Sequence, residues 1–167
     1  YSIDLLREVG LLSDSDSGKT YDRFRNRLMF PIRNNKGQVI AFGGRVLDES
    51  AQPKYLNSPE SAYFHKSNCL YGIYELQQRK QQKAAPLLVV EGYMDTIACQ
   101  QLTDVPCVAA LGTAFTLHHG RQLFRKFDHL VFCFDGDTAG KSAAWRALEI
   151  CLSLMVAGRQ VGFMFLP

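Results

Sequence analysis

Three apolar runs constrain this chain more than any other feature: LLVVEG (87–92), CVAALG (107–112) and HLVFCFDGD (129–137). Each is the length of one buried strand, shows no in-and-out alternation, and is followed by helical periodicity. MDTIACQQL follows the first run. Thr116 caps the helix after the second, with Leu123, Phe124 and Phe127 on one face. After the third, Ala143, Ala144, Ala147, Leu148, Cys151, Leu152 and Met155 line a helix that Gly158 stops. Residues 161–165 open a fourth strand. Strands apolar on both sides and joined by helices form a parallel sheet covered on both faces. The predicted class is therefore α/β, a parallel sheet flanked by helices over residues 83–167, preceded by a smaller mixed α+β subdomain over residues 1–82.

The front part is less regular. Residues 3–12 carry Ile3, Leu6, Val9 and Leu12 near helical spacing, and 14–18 is a polar loop. Residues 28–32 and 39–46 are strand-like runs around Asn34-Asn35-Lys36-Gly37, a hairpin turn. Residues 52–66, with two prolines and little periodicity, read as an ordered loop. Residues 70–80 return to helix, and QRKQQKAAP reads as a surface linker.

Composition excludes several classes. The longest stretch free of Asp, Glu, Lys and Arg, 105–120, is broken by Pro106, Gly112, His118 and His119, so no membrane-spanning helix is expected. Five cysteines, with no C-x-x-C pair, fit reduced thiols in a cytosolic protein rather than a disulfide frame or zinc site. The first residue is Tyr and no signal pattern follows, so the chain is expected to be a piece of something longer. The net charge is +3. Residues 1–80 hold twelve basic and nine acidic side chains, and 81–167 hold seven of each. Within 19–66 there are nine basic and four acidic residues, interleaved with Tyr21, Phe24, Phe42, Tyr55 and Tyr63. Such a block suits phosphate contacts and base stacking, and equally an ordinary solvated face over core aromatics. Arg23, Arg25 and Arg27 cannot all share one helical face.

The acids of the second half fall at strand ends. Glu91 closes the first apolar run; Asp135 and Asp137 close the third; Asp95 lies four residues past Glu91 in the next helix. Ligands of open parallel sheets bind beyond the carboxyl ends of the strands. Oxygen ligands without His or Cys suit Mg²⁺ or Mn²⁺, and paired ions of this kind serve phosphate displacement. Either motif alone reads as a helix N-terminal acid or a turn; both at equivalent strand ends point to a site.

E-G-Y-M-D after one buried strand and D-G-D-T-A-G after a later one resemble the Toprim domain, shared by primases, topoisomerases and some nucleases. FPIRNNKGQVIAFGGRVL, PKYLNSPES, FHK, LYGIYE, LLVVEGYMD, LGTAFT and AAWRALE together resemble the catalytic core of a bacterial DnaG-type primase, from about residue 21 to 167. The resemblance implies a Toprim-type sheet and synthesis of short RNA primers on a single-stranded DNA template from nucleoside triphosphates. By it, Glu91, Asp135 and Asp137 are catalytic metal ligands with Asp95 adjacent. It likewise carries template or nucleotide contact onto Arg45, Lys54, Tyr55, Asn57 and Lys66. It implies Mg²⁺ or Mn²⁺ as cofactor, no zinc here, and a cytoplasmic place at the bacterial replication fork. A replicative helicase and single-strand binding protein would be reached through domains outside this chain; guanosine tetraphosphate is a further family ligand. In the family an acidic segment follows the strand that ends here in FMFLP, so the metal site is expected to be incomplete and priming weak or absent. A Toprim nuclease or topoisomerase fragment, or a catalytically silent binder of single-stranded DNA or nucleotides, are the alternatives.

Other residues carry weaker expectations. His118 and His119 point apart on a helix and read as core or surface; His65 and Thr113 are lesser phosphate candidates. Lys141 reads as solvated surface, His129 as a strand start, and Trp145 as core or part-core.

Overall fold

The computed structural model describes residues 1–48, 50–78, 85–112 and 114–167. The chain divides into two compact units, Tyr1–His65 and Lys66–Pro167. The expected boundary at 82/83 and most of the expected linker fall at 79–84, outside the described residues.

In the first unit, helix α1 (Ile3–Glu8) is capped by Ser2, whose hydroxyl accepts from Leu5 N–H. It is shorter than its apolar spacing predicts and buries no residue. Gly10 ends it: its φ of 71° is left-handed, and a Cβ there would stand 2.1 Å from Pro59 Cδ. The chain then pairs β1 (Leu12–Asp14) with β2 (Thr20–Asp22), so Leu12 is strand and not helix.

A three-stranded antiparallel sheet follows in the order β3 (Arg27–Arg33), β4 (Val39–Val46), β5 (Tyr55–Asn57). The predicted hairpin is present. Asn34 Oδ1 accepts from Lys36 and Gln38 N–H at 2.9 and 3.1 Å, and Gly37 takes a φ of 82°. β5 is a correction: part of the expected loop pairs with β4 in the register Gly43↔Asn57, Gly44↔Leu56, Arg45↔Tyr55. Three residues are too few to show periodicity, and tertiary pairing decides them. Phe30, Ile32, Ala41 and Phe64 are buried in this unit.

The second unit holds a five-stranded sheet, ordered β10 (Gln160–Leu166), β9 (His129–Asp135), β7 (Leu87–Val90), β8 (Cys107–Ala110), β6 (Leu70–Tyr71). The first four are parallel, as their apolar runs require, and β6 is antiparallel to β8. Residues 70–71 are thus strand where helix was expected. Gly72, at φ 82°, turns the chain into α2 (Ile73–Gln78); a Cβ there would meet Thr96 Cγ2 at 2.8 Å.

The crossovers α3 (Tyr93–Leu102), α4 (Leu117–Phe124) and α5 (Thr138–Leu152) fall where helices were predicted, but two end early: Phe127 lies beyond α4, and α5 stops at Ser153, ahead of Met155 and Gly158. One sheet face is covered by α4 and α5 around Leu87, Val89, Leu123, Phe127, Leu130, Phe132 and Cys151. The other buries Val90, Cys107, Ala109 and Cys133, with Cys99 of α3 against them. Burial pushes the Cys151 thiol up to about 11 and Cys133 upward, and no disulfide forms among the described residues. No helix of the described residues is long and apolar enough to cross a membrane.

Candidate functional site

The parallel strands of the second unit bring the predicted acids to one edge. Glu91 leaves the end of β7 and Asp135 is the last residue of β9, the neighbouring strand. Glu91 Oε1 accepts the Asp135 backbone N–H at 3.2 Å, so the two strand ends are linked through the carboxylate itself. Asp95 stands in the first turn of α3. Asp137 caps α5: its Oδ1 accepts from Gly140 N–H at 2.7 Å. All four carboxylates are exposed.

The backbone leaves no room for a side chain at Gly136 and Gly140 and little at Gly92. A Cβ on Gly136 would lie 2.6 Å from Leu166 O, whose carbonyl accepts the Gly136 N–H at 2.8 Å. A Cβ on Gly140 would lie 2.1 Å from Asp135 O. One on Gly92 would lie 3.2 Å from Asp95 Oδ2. In the sequence, Gly92 and Gly136 mark the close turns beside Glu91 and Asp135, and the signal for Gly140 is a glycine inside the first turn of an otherwise Ala-rich helix. A cavity of about 320 Å³ opens beside Glu91, walled by Phe115, Phe132, Phe134 and Ala143 with Arg146 at its margin.

The donor set is all oxygen, which fits a hard divalent cation. Among the described residues no three His, Cys, Asp or Glu side chains converge closely enough to hold an ion unaided. Magnesium fits such an edge: it keeps several waters and is held by one or two carboxylates together with substrate phosphate.

The first unit groups four of the five predicted contact residues. Arg45 and Tyr55 face each other across β4 and β5, with the guanidinium 5.9 Å from the ring centroid. Lys54 precedes Tyr55, its carbonyl accepting from Val46 N–H at 3.1 Å, and Asn57 ends the strand. Lys66, the fifth, begins the second unit in a 3-10 turn, Lys66–Asn68.

The arginine triplet divides by role. Arg23 donates to Ser13 Oγ and to the Asn57 carbonyl, both at 3.2 Å. Arg27 donates to the carbonyls of Gly44 and Lys54, and exposed Arg25 stacks 4.4 Å over Tyr21. They lie on a strand end and a bend, not on a helix.

The weaker candidates also resolve. His65 Nδ1 lies 3.0 Å from Glu60 Oε2, within reach of an ion pair, and His129 begins β9. Lys141 is exposed and His119 is fully buried. Trp145 is a correction: it is 65% exposed on the outer face of α5, its indole N–H donating to Glu149 Oε1 at 3.1 Å. Thr113 lies outside the described residues.

Comparison with known proteins agrees with this architecture. Residues 1–77 match the family model of the DNA primase catalytic core, N-terminal domain, and residues 88–161 match the Toprim-like model. The chain is 55% identical to a DNA primase of Salmonella typhimurium over 98% of its length, and 54% identical to that of Escherichia coli strain K12 over 97%. It spans 28% of those relatives' own length. A solved DnaG primase catalytic domain bound to single-stranded DNA superposes with a TM-score of 0.90 at 52% identity, covering 98% of this chain and 52% of that one. The zinc-binding and RNA polymerase domains of the Aquifex aeolicus primase superpose with a TM-score of 0.82 at 35% identity, over 98% of this chain and 40% of that one. The two matched segments, the sequence identity and the superposition agree: the chain belongs to the DnaG-type DNA primase family, as the N-terminal domain of the catalytic core followed by a Toprim domain.

Proposed function

We propose that the chain acts as part of the core of a primase, joining nucleoside triphosphates into a short RNA primer on single-stranded DNA. The observation that carries this reading is the joint edge of Glu91 and Asp135, linked at 3.2 Å beyond the carboxyl ends of adjacent parallel strands. In the reaction a 3′-hydroxyl attacks the α-phosphate; the new O–P bond forms as the bond to pyrophosphate breaks, and the hydroxyl proton passes to solvent. Glu91, Asp135 and Asp137, with Asp95 beside them, would hold Mg²⁺ or Mn²⁺. When bound, the ions supply charge neutralisation for the attacking and leaving oxygens.

The protein's own contribution is position. Glu91 ties β7 to β9, and Asp137 fixes the start of α5, so carboxylate oxygens stay at one edge without a reacting side chain. Arg45, Lys54 and Lys66 would contact phosphates of template or nucleotide. Tyr55 offers a half-exposed ring for an unpaired base, and Asn57 a hydrogen-bonding amide.

Incubation with single-stranded template, Mn²⁺ and labelled nucleoside triphosphates, using this chain in place of the matching segment of the Escherichia coli primase, tests the reading. Extended RNA is expected, with Asp135→Ala lowering its yield at least 100-fold and weakening Mn²⁺ binding (both on the order of magnitude of lost metal catalysis). Cleaved DNA in place of RNA, or full activity of Asp135→Ala, overturns it.

A further inference from the structure

His119 is fully buried, its ring 5.7 Å from that of Phe115. It sits in the first turn of α4 and completes a reciprocal cap: Thr116 Oγ1 accepts the His119 N–H at 3.2 Å, and His119 Nδ1 accepts the Thr116 N–H at 3.2 Å. Because Nδ1 accepts, the ring proton sits on Nε2. That nitrogen is buried towards the carbonyls of Cys69 and Lys66, with no partner at hydrogen-bond distance among the described residues.

The same Thr116 hydroxyl donates to the Ser67 carbonyl at 2.7 Å, a contact spanning forty-nine positions. Within the 3-10 turn Lys66–Asn68, the Cys69 N–H reaches the Lys66 carbonyl at 3.3 Å, a long bond. A three-residue 3-10 turn has poor hydrogen-bond geometry and little stability of its own. A hold from outside adds to it: the Thr116 hydroxyl binds the turn, and His119 fixes Thr116 through the reciprocal cap.

We infer that Thr116 and His119 are positioning residues for Lys66: they clamp the turn that carries it to the start of α4. Neither touches nucleic acid; both act through the turn. The inference rests on the reading of Lys66 as a phosphate contact, and the two can fail separately.

Hydrogen exchange tests the clamp without reference to any ligand. Thr116→Val keeps the shape and removes the donor, so the Cys69 amide should exchange about tenfold faster, while Thr116→Ser restores protection to within about twofold. Unchanged exchange in Thr116→Val overturns the clamp. Fluorescence anisotropy with a labelled single-stranded oligonucleotide then tests the role.

Lys66→Ala is expected to weaken binding about fivefold, and Thr116→Val about threefold. On the Lys66→Ala background, Thr116→Val should add less than about twofold, because coupled residues are not additive. Equal, independent losses overturn the positioning role and leave a merely structural one. No effect of Lys66→Ala removes the Lys66 assignment itself, whatever the exchange data show of the clamp.

Discussion

A histidine can be a ligand, a switch or a packed core group, and His119 shows how the surroundings decide. Burial, with neighbouring His118 adding to it, pushes its pKa down to about 4, against the ordinary 6.5. The folded state therefore binds the proton more weakly than the unfolded chain. The stability contributed by the neutral ring is fully present above pH 6.5 and is lost as pH falls towards 4, by about 3 kcal/mol. Urea unfolding between pH 7.5 and 4.5 should show this loss, and His119→Asn, which does not titrate, should show less of it. An equal pH slope in both proteins would reject the assignment. The sequence spoke against a ligand, because adjacent residues on a helix diverge and no partner His follows, but left core and surface open. The reciprocal cap was not legible, since the usual third-position partner of Thr is Glu or Gln.

Whole elements were readable where burial is two-sided and unreadable where pairing is short. The four parallel strands and three crossovers were legible because uninterrupted apolar runs of strand length leave few alternatives. β5 and β6, of three and two residues, carry no period, and both exist because a neighbouring strand offers unpaired backbone groups. Trp145 failed for a related reason: its neighbours Ala144 and Leu148 suggested a buried stripe, but a 15-residue helix against one sheet buries only Gly140, Ala144, Ala147 and Cys151. Gly140 illustrates the element scale in energetic form. In an isolated helix Gly→Ala stabilises by up to about 1 kcal/mol. Here α5 lies so close to β9 that Gly140→Ala should instead destabilise by about 2 kcal/mol or more, since the added carbon meets a backbone carbonyl that cannot rotate away. Chemical denaturation with unchanged m-value checks this; a stabilised variant would show that the contact is not real.

At the scale of the molecule, the division into units changes how the charge is understood. The excess of +3 in residues 1–80 suggested a basic front half, yet Lys66, Arg79 and Lys80 belong to the second unit's sequence. Residues 1–65 hold nine basic and eight acidic residues, and 66–167 hold ten and eight. The excess is nearly shared. Affinity for single-stranded DNA should then depend on particular cations and not on a net field. Arg45→Ala and Lys66→Ala should each lower the slope of log K against log salt by about 0.7, the value for one phosphate on a single strand. Arg23→Gln should weaken binding with an unchanged slope, because that guanidinium is spent on Ser13 and Asn57. A slope change for Arg23 equal to that of Arg45 would move it into the contact set.

The acidic edge is held largely through main-chain groups: the Asp135 amide on Glu91 and the Gly136 amide on the Leu166 carbonyl. An amide and a carbonyl are present whatever side chain a residue bears. Position 166 can therefore drift through many amino acids while its carbonyl still meets Gly136. A single residue inserted or deleted within β10 would displace that carbonyl by a whole step. Relatives of this chain should thus vary freely in spelling at position 166, less at 161 and 163 where β10 packs on the core, and hardly at all in spacing.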